Sequence, residues 1–317
     1  MSASDIAIRP RSAASGLPAG LSRRLWDAKL RRLRPYALLL PSLLFLAVFT
    51  YGPIADVVLE SMRHSKAMGE AARFVGGQNY ARLFADEAFV KAATNNLIYA
   101  VGTVAPSVAL ALVFALLLER AGAVAGLARA LLFLPTMIPL VAAASIFLFV
   151  FMPGVGLLDF YLAKLGLQGM NWIGDPEIAL WSIVGLTVWK NAGYYMLFYL
   201  AGLQHIPTEL REAAILDGAG PLRRAWYIVI PLLKPTTAFV TVIALINVLT
   251  QVDHIVLLTK GGPSNATNVV LYYIYQTAHE NFDMGKAAAA TVVSVAALLA
   301  LSALSLGRLE KGMHHAS

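Results

Sequence analysis

The sequence contains no cysteine in its 317 residues. Disulfide bonds, thiolate catalysis and cysteine-ligated metal sites are therefore excluded. No Gly-rich segment ends in Gly-Lys-Ser or Gly-Lys-Thr, and neither a His-Glu-x-x-His motif nor a helical carboxylate and histidine cluster is present. We expect a chain that is not an enzyme, holds no metal and has no ATPase site of its own.

Charged residues are also scarce, at 14% of the chain against 58% hydrophobic residues. This balance is too apolar for a soluble domain of this length, so we interpret the chain as a membrane protein. The net charge of +7 could suggest a nucleic-acid partner. However, the basic residues concentrate in the N-terminal segment rather than along a folded face, so we expect no nucleic-acid binding.

The N-terminal segment, residues 1–34, is rich in Arg and Ser and has only two acidic residues. This composition is typical of a disordered cytoplasmic tail, and an organelle transit peptide is the alternative. A cleavable secretory signal fits poorly, because the apolar stretch after Arg34 is too long.

Six segments are apolar and about 20 residues long, as a helix that crosses a bilayer requires. They are residues 36–58, 93–118, 129–152, 178–203, 235–257 and 286–306. An even number of spans places both termini on one side, and the basic tail makes that side the cytoplasm. The sequence predicts an all-α, six-span membrane domain over 35–306, with cytoplasmic tails over 1–34 and 307–317.

The loop between the fourth and fifth spans, residues 204–234, predicts a cytoplasmic helix-turn-helix. Thr208 can cap a first helix, and Gly218 supplies the left-handed conformation that ends it. Pro221 suits the first turn of a second helix, which Pro231 then interrupts. An ordinary polar loop between two membrane helices is the alternative.

This loop resembles the signature of the membrane-spanning permeases of binding-protein-dependent ABC importers. The matching residues are Glu212, Ala213, Ala214, Gly218, Ile228 and Pro231, and Ile230 stands where the family usually has Leu. In that family the loop docks on a cytoplasmic ATPase. The resemblance therefore implies an ATPase-coupling element formed by Glu212, Ala213, Ala214, Asp217, Gly218, Gly220 and Pro231.

A second motif resembles the carbohydrate branch of these permeases, which includes maltose and glycerol-3-phosphate types. It consists of Gly261, Gly262 and Pro263, one further residue, and then Asn-Ala-Thr. The resemblance covers residues 35–306 and implies a subunit of the bacterial inner membrane. Its expected partners are a second homologous permease, two subunits that bind ATP and Mg, and a substrate-binding protein that contacts Gly261, Gly262 and Pro263. Whether the second permease is a different chain, and which sugar, polyol or glycerol-phosphate is carried, stay open.

Polar groups at membrane depth cost several kcal/mol unless they meet a partner or water, so each is a functional candidate. The candidates for a substrate pathway are Asn247, Gln251, His254, Asn191, Tyr194, Lys190 and Asn96. Spacings of four and three residues place Asn247, Gln251 and His254 on one helical face. Amide, hydroxyl and aromatic groups suit a sugar, whereas hydrogen bonds to neighbouring helices are the alternative role.

Lys190 requires water, a partner or an anion at mid-bilayer. Asp253 lies within reach of its side chain as an ion-pair partner, and an anionic substrate is the alternative. Pro135 and Pro139 should kink the third span, and Pro106 the second.

Two other functions remain to be distinguished from an importer subunit. An autonomous ion-coupled transporter or channel requires inverted repeats and buried carboxylates, and Asp253 is the only acidic residue well inside the predicted spans. A membrane scaffold without a passage is the other, and the polar face of the fifth span argues against it.

Overall fold

The computed structural model describes residues 36, 38–64, 73–119 and 122–313, with side chains as far as residue 303. The predicted N-terminal tail, residues 1–34, lies outside this part. The described residues are mostly helical, as predicted, and the helices are joined by loops and by two paired strands, β1 (Arg63–His64) and β2 (Arg73–Phe74). The helices are α1 (Leu38–Ser61), α2 (Gln78–Phe84), α3 (Glu87–Leu117), α4 (Ala123–Met137), α5 (Leu140–Val150), α6 (Leu157–Lys164), α7 (Ala179–Gln204), α8 (Thr208–Leu216), α9 (Pro221–Arg224), α10 (Ile230–Leu232), α11 (Lys234–Thr250), α12 (Asp253–Leu258), α13 (Val270–His279) and α14 (Met284–Met313).

The chain divides into two compact units, the first ending at Asp56 and the second beginning at Val57. The described part of the first unit is most of α1, which contains a π-helical turn at Ala47–Tyr51. Every residue between Leu38 and Asp56 except Gly52 is exposed. An apolar helix exposed in this way suits contact with lipid or with another membrane chain.

The core of the second unit is built on α3 and α7, which share the most extensive helix contact. Small and polar residues recur along α3 at every fourth position, which places them on one buried face. They are Asn95, Tyr99, Thr103, Ser107, Ala111 and Ala115. Small side chains let two helix backbones approach closely, as is typical of packing inside membranes.

A second close contact joins α7 to α4 at Gly193. A Cβ atom at this position would lie 1.8 Å from the Leu132 carbonyl oxygen, so only glycine fits without moving the backbone. By contrast, a Cβ atom at Gly185 on the same helix would meet nothing within 4 Å.

Two of the predicted spans are broken helices. The third consists of α4 and α5, which meet at an angle of 99° around Ile138 and Pro139, so the predicted kink is confirmed. The fifth consists of α11 and α12, with Gln251 and Val252 outside helical structure between them. In contrast, Pro106 lies inside α3 without ending it.

Four described helices are long and apolar enough to cross a membrane: α1, α3, α11 with α12, and α14. The bent pair of α4 and α5 raises the number to five. The fourth predicted span, α7, has 26 residues but is not among them. Polar and aromatic side chains such as Lys190, Asn191 and Tyr194 lower its hydropathy, and many of its residues are buried against other helices.

The segments between the predicted first and second, third and fourth, and fifth and sixth spans contain helices of their own, α2, α6 and α13. The segment predicted as a C-terminal tail, from residue 307, is helical as far as Met313, because α14 continues through it.

Asp86, which immediately precedes α3, connects α3 to α13 and α14. Its carboxylate accepts hydrogen bonds from the Lys286 ammonium, from the Tyr273 hydroxyl at 2.8 Å and from the Ala88 N–H at 2.9 Å. Burial raises the pKa of Asp86, but these hydrogen bonds outweigh burial and hold the pKa below its ordinary value of 3.8. The ionised carboxylate is therefore stabilised more in the folded protein than in the unfolded chain.

We predict that acid weakens this contact. Because the folded pKa of Asp86 is lowered, its contribution is complete above the ordinary pKa of 3.8 and is lost as pH falls through the folded value. The contribution is about 1 kcal/mol for such a partly exposed group. Asp86→Asn should lower the melting temperature in detergent at neutral pH and should reduce its change between about pH 6 and about pH 3.

The control is Glu87→Gln, which removes the neighbouring exposed carboxylate, for which the described residues provide no ion-pair partner. An acid dependence that is the same in Asp86→Asn as in the wild type would contradict the assignment.

We predict that Gly193→Ala separates α7 from α4 and lowers the free energy of unfolding by about 1–3 kcal/mol, because the new methyl group meets backbone atoms that cannot rotate away. Gly185→Ala on the same helix should be neutral or stabilising by up to about 1 kcal/mol. Thermal unfolding of both variants in detergent measures the difference. Equal stability of the two variants would show that the helices do not approach this closely.

Candidate coupling element and membrane-embedded polar site

The segment predicted as a helix-turn-helix contains short helices on both sides of a turn. In α8, Glu212 and Ala213 are exposed and Ala214 is buried. The expected cap by Thr208 is wrong: Pro207 occupies the cap position, no side chain accepts a capping hydrogen bond, and Thr208 is the first helical residue. The proline has no N–H to satisfy and fixes the entry of the chain into α8.

The turn after α8 follows the prediction at Gly218, which has a φ of +73°. The N–H groups of Asp217, Gly218 and Ala219 donate to carbonyls of the last turn of α8, with the bond from Ala219 to Ala214 at 2.9 Å. Gly220 differs from the expectation, because its φ of −65° is ordinary for any residue. Glycine is therefore required at Gly218 and not, for conformational reasons, at Gly220.

The second helix has nearly the predicted extent. It starts with Pro221 in the first turn of α9, passes through a π-helical turn at Ala225–Val229 and ends in α10. Pro231 is exposed and follows the π-helical turn near the end of this continuous helical segment, which stops at Leu232, one residue after the expected interruption.

Large apolar side chains project from this element without a partner among the described residues that covers them. The exposed fraction is 88% for Leu216, 73% for Leu222, 63% for Trp226 and 77% for Tyr227. A shallow cavity of about 660 Å³ lies beside them, lined by Gly220, Pro221, Leu222, Arg223, Trp226 and Tyr227. Contiguous exposed apolar surface of this kind is typical of an interaction site.

Arg211 attaches α8 to the rest of the protein, and the sequence prediction missed it. Its guanidinium forms an ion pair with Glu119 and donates to the Leu203 carbonyl at 3.1 Å. Glu119 follows α3, and Leu203 lies in the last turn of α7. The only sequence signal is that Arg211 immediately precedes Glu212.

Lys190 is buried in α7, with 7% of its surface exposed, and its partners are backbone carbonyls. The ammonium donates to the carbonyls of Ile138 at 2.5 Å, Pro135 at 3.2 Å and Thr136 at 3.5 Å. These carbonyls lie where α4 ends at the break and regular helix pairing stops, and the Pro135 carbonyl also accepts from the Ile138 N–H at 3.3 Å. The prediction of an ion pair with Asp253 is wrong, because the broken helix offers Lys190 carbonyl oxygens instead.

A buried hydrogen-bonded cluster links α3, α7 and α12. The Tyr99 hydroxyl lies 2.8 Å from His254 Nε2 and 2.9 Å from the Thr187 hydroxyl. His254 is fully buried, whereas Gln251 is half-buried at the break between α11 and α12. The prediction of one continuous helical face through Asn247, Gln251 and His254 is therefore wrong, because the helix is interrupted at Gln251.

The other predicted pathway residues lie around this cluster. Asn191 is buried and donates to the Thr187 carbonyl at 3.1 Å. Asn247 is half-buried and donates to the Tyr195 hydroxyl at 3.2 Å. Tyr194 is half-buried, with its ring centroid 5.6 Å from that of Tyr195.

Asn96 lies apart from them, in an apolar cavity of about 430 Å³ between α3, α11, α13 and α14. Thr187 was missed at the sequence level, although it precedes Asn191 by one helical turn. The described residues thus divide the seven predicted positions into a buried group of Lys190, Asn191 and His254 and a partly exposed group of Asn96, Tyr194, Asn247 and Gln251.

The loop that contains Gly261, Gly262 and Pro263 is held tightly at the end of α12. The Thr267 hydroxyl donates to the Gly262 carbonyl at 2.6 Å, and Gly261 has a φ of +76°, where a Cβ atom would lie 2.7 Å from the Tyr272 ring. The Asn95 amide donates to the carbonyls of Asn265 at 2.7 Å and Asn268 at 2.9 Å. The loop therefore has a fixed shape, anchored on α3.

No group of three or more His, Cys, Asp or Glu residues in the described ranges is arranged to hold a metal ion.

Comparison with known proteins agrees with this architecture. Residues 88–315 match the sequence model of the family described as binding-protein-dependent transport system inner membrane component. The chain is 32% identical to the sn-glycerol-3-phosphate transport system permease protein UgpA of Agrobacterium fabrum, over 90% of this chain and 97% of that protein. It is 34% identical to the probable ABC transporter permease protein YurN of Bacillus subtilis, over 86% of this chain and 94% of that protein.

The fold is also similar to those of solved structures. A chain of a bacterial alginate ABC transporter, in complex with an alginate pentasaccharide-bound periplasmic protein, superposes with a TM-score of 0.77 at 24% identity, covering 89% of this chain and 96% of that chain. A chain of a bacterial ABC transporter involved in the import of alginate superposes with a TM-score of 0.78 at 24% identity, over 91% and 99% of the two chains. The chain belongs to the family of inner membrane components of binding-protein-dependent transport systems.

Proposed function

We propose that this permease forms half of the translocation pathway of an ATP-driven importer and receives the work of ATP hydrolysis through α8, α9 and α10. The observation that carries the proposal is the exposed element itself, where Glu212 and Ala213 are accessible and large apolar side chains of the same segment are exposed. Its partners supply the ATPase sites and bind ATP and Mg, because the sequence has no phosphate-binding loop of its own.

We further propose that the complete importer contains a second homologous permease, two cytoplasmic ATP-binding subunits and a substrate-binding protein. The alginate transporter of similar fold is complexed with a periplasmic protein. In our proposal the binding protein contacts Gly261, Gly262 and Pro263, because that loop has a fixed shape and lies beyond the end of a membrane span.

The proposed topology has six spans, with both termini and α8 on the cytoplasmic side of the inner membrane. It counts α4 with α5 as the third span and α7 as the fourth. A polar helix such as α7 is accommodated where neighbouring helices bury it, and 15 of its 26 residues are buried. The membrane domain then covers residues 35–306, with the coupling loop at 204–234.

The proposed substrate is a sugar, a polyol or a glycerol-phosphate. The relatives named for sn-glycerol-3-phosphate transport support this range. Asn247, Gln251, Tyr194 and Asn96 supply the accessible amide and hydroxyl groups for the proposed pathway. Lys190, Asn191 and His254 would contribute only in another conformation, because here Lys190 and His254 bond to groups outside their own helices and the Asn191 amide bonds to the Thr187 carbonyl of its own helix.

Gly218→Val tests the coupling function. Valine in the left-handed conformation costs at least about 1–2 kcal/mol, so the turn should relax and tilt α8 relative to α9. We expect the assembled importer in proteoliposomes to hydrolyse ATP without a matching increase in uptake. ATP hydrolysis is measured with and without binding protein, together with uptake of labelled sn-glycerol 3-phosphate and of a neutral disaccharide.

Gly220→Ala is the control, since its backbone is ordinary and a Cβ atom there meets nothing within 4 Å. It should remain close to the wild type. Full coupling in Gly218→Val would contradict the proposed role of the turn, and absence of uptake of both solutes by the wild type would contradict the proposed substrate range.

A further inference from the structure

Arg211 is the side chain through which α8 contacts two other helices at once. One nitrogen of its guanidinium pairs with Glu119, just beyond the end of α3, and the other donates to the Leu203 carbonyl at the end of α7. A planar guanidinium with several fixed donors suits such a double contact better than a lysine would. The neighbouring Glu212 is exposed.

Leu118 and Glu119, which follow α3 and are called here the corner between α3 and α4, also contact α4, which begins the third predicted span. Arg129 of α4 donates through Nε to the Leu118 carbonyl at 2.9 Å and through Nη2 to the Glu119 carbonyl at 3.2 Å. These carbonyls follow the last turn of α3, where helix carbonyls lack partners and favour a cation. Glu119 is thus bound through its side chain to α8 and through its backbone to α4.

The ion pair is partly withdrawn from solvent, with 26% of the Arg211 side chain and 32% of the Glu119 side chain exposed. Such a pair is less screened by salt than one at the surface. A displacement of α8 therefore acts directly on the ends of α3 and α7, and through Arg129 on the broken span formed by α4 and α5.

We propose that Arg211 and Glu119 are positioning residues that make α8 and the corner between α3 and α4 move as one body when an ATPase subunit acts on α8. This inference rests on the proposed coupling function. Without the ion pair, α8 would still present Glu212 and Ala213 to the ATPase. However, only part of the movement of α8 would be transmitted to α4 and α5.

The test measures a distance inside the assembled importer. Because the natural chain has no cysteine, cysteines introduced at Val124 and Thr208 carry the only spin labels on it. Both positions are exposed, at the starts of α4 and α8. Electron–electron double resonance gives the distance between the labels with and without ATP, under conditions that prevent hydrolysis.

We expect this distance to be the same in both states in the wild type and to change with ATP in Glu119→Gln. Glu119→Gln should also lower the stimulation of ATP hydrolysis by the binding protein about fivefold, the lower end of the range for coupling between sites. Glu177→Gln, at an exposed position in the segment between α6 and α7, is the matched control and should behave as the wild type.

A distance that changes with ATP in the wild type, with the ATPase subunits bound, would overturn this inference and leave the proposed function intact. An unchanged distance and full stimulation in Glu119→Gln would also overturn it. Failure of the wild-type chain to bind any ATPase subunit would overturn the proposed function and this inference together.

Discussion

The constraint on which the membrane domain depends is that backbone groups inside a bilayer find no water to bond with. A helix that breaks within the membrane must therefore have its free carbonyls satisfied by the protein. In this chain α4 breaks before α5, and the ammonium of Lys190 donates to three carbonyls at the break. A charge that would be costly on its own thus stabilises a bend of 99° by donating to carbonyls at the point where regular helix pairing stops.

Contacts of α7 connect the break between α4 and α5 to α8 in one direction and to the loop at Gly261 in the other. Gly193 brings α7 against the backbone of α4 one turn from Lys190, so the two contacts together hold α7 against α4 near the break. Toward one end, α7 leads to Leu203, Arg211 and the exposed α8. In the other direction, the hydrogen bonds of Tyr99 to Thr187 and His254 join α7 to α12, and the loop at Gly261 follows α12. Movement at either end can therefore act on the broken span without any single long rigid connection.

The sequence predicted the local features well and the partners of side chains poorly. Gly218 was assigned a left-handed conformation from the helix-stop pattern alone, and the kink at Pro135 and Pro139 was predicted from the loss of backbone donors. Both depend on a few adjacent residues. The partners of Lys190 are more than fifty residues away in sequence, so no local pattern pointed to them.

The break at Gln251 is a second feature that the sequence pattern did not predict. Spacings of four and three residues describe a helical face only while the helix continues, and no proline or glycine marks the interruption. Equally, the hydrophobic pattern did not distinguish α7 from a lipid-facing span, because its polar residues are accommodated by packing that only the folded structure reveals.

The proposed docking of the exposed face of α8 on an ATPase subunit is tested most directly at two adjacent alanines. A photoactivated cross-linker attached to Ala213→Cys, which is exposed, should form a product with an ATP-binding subunit in native membranes, identified by mass spectrometry. The same reagent on Ala214→Cys, which is buried, should form little. Cross-links from Ala213→Cys to lipid alone, or none to an ATP-binding subunit, would contradict the account.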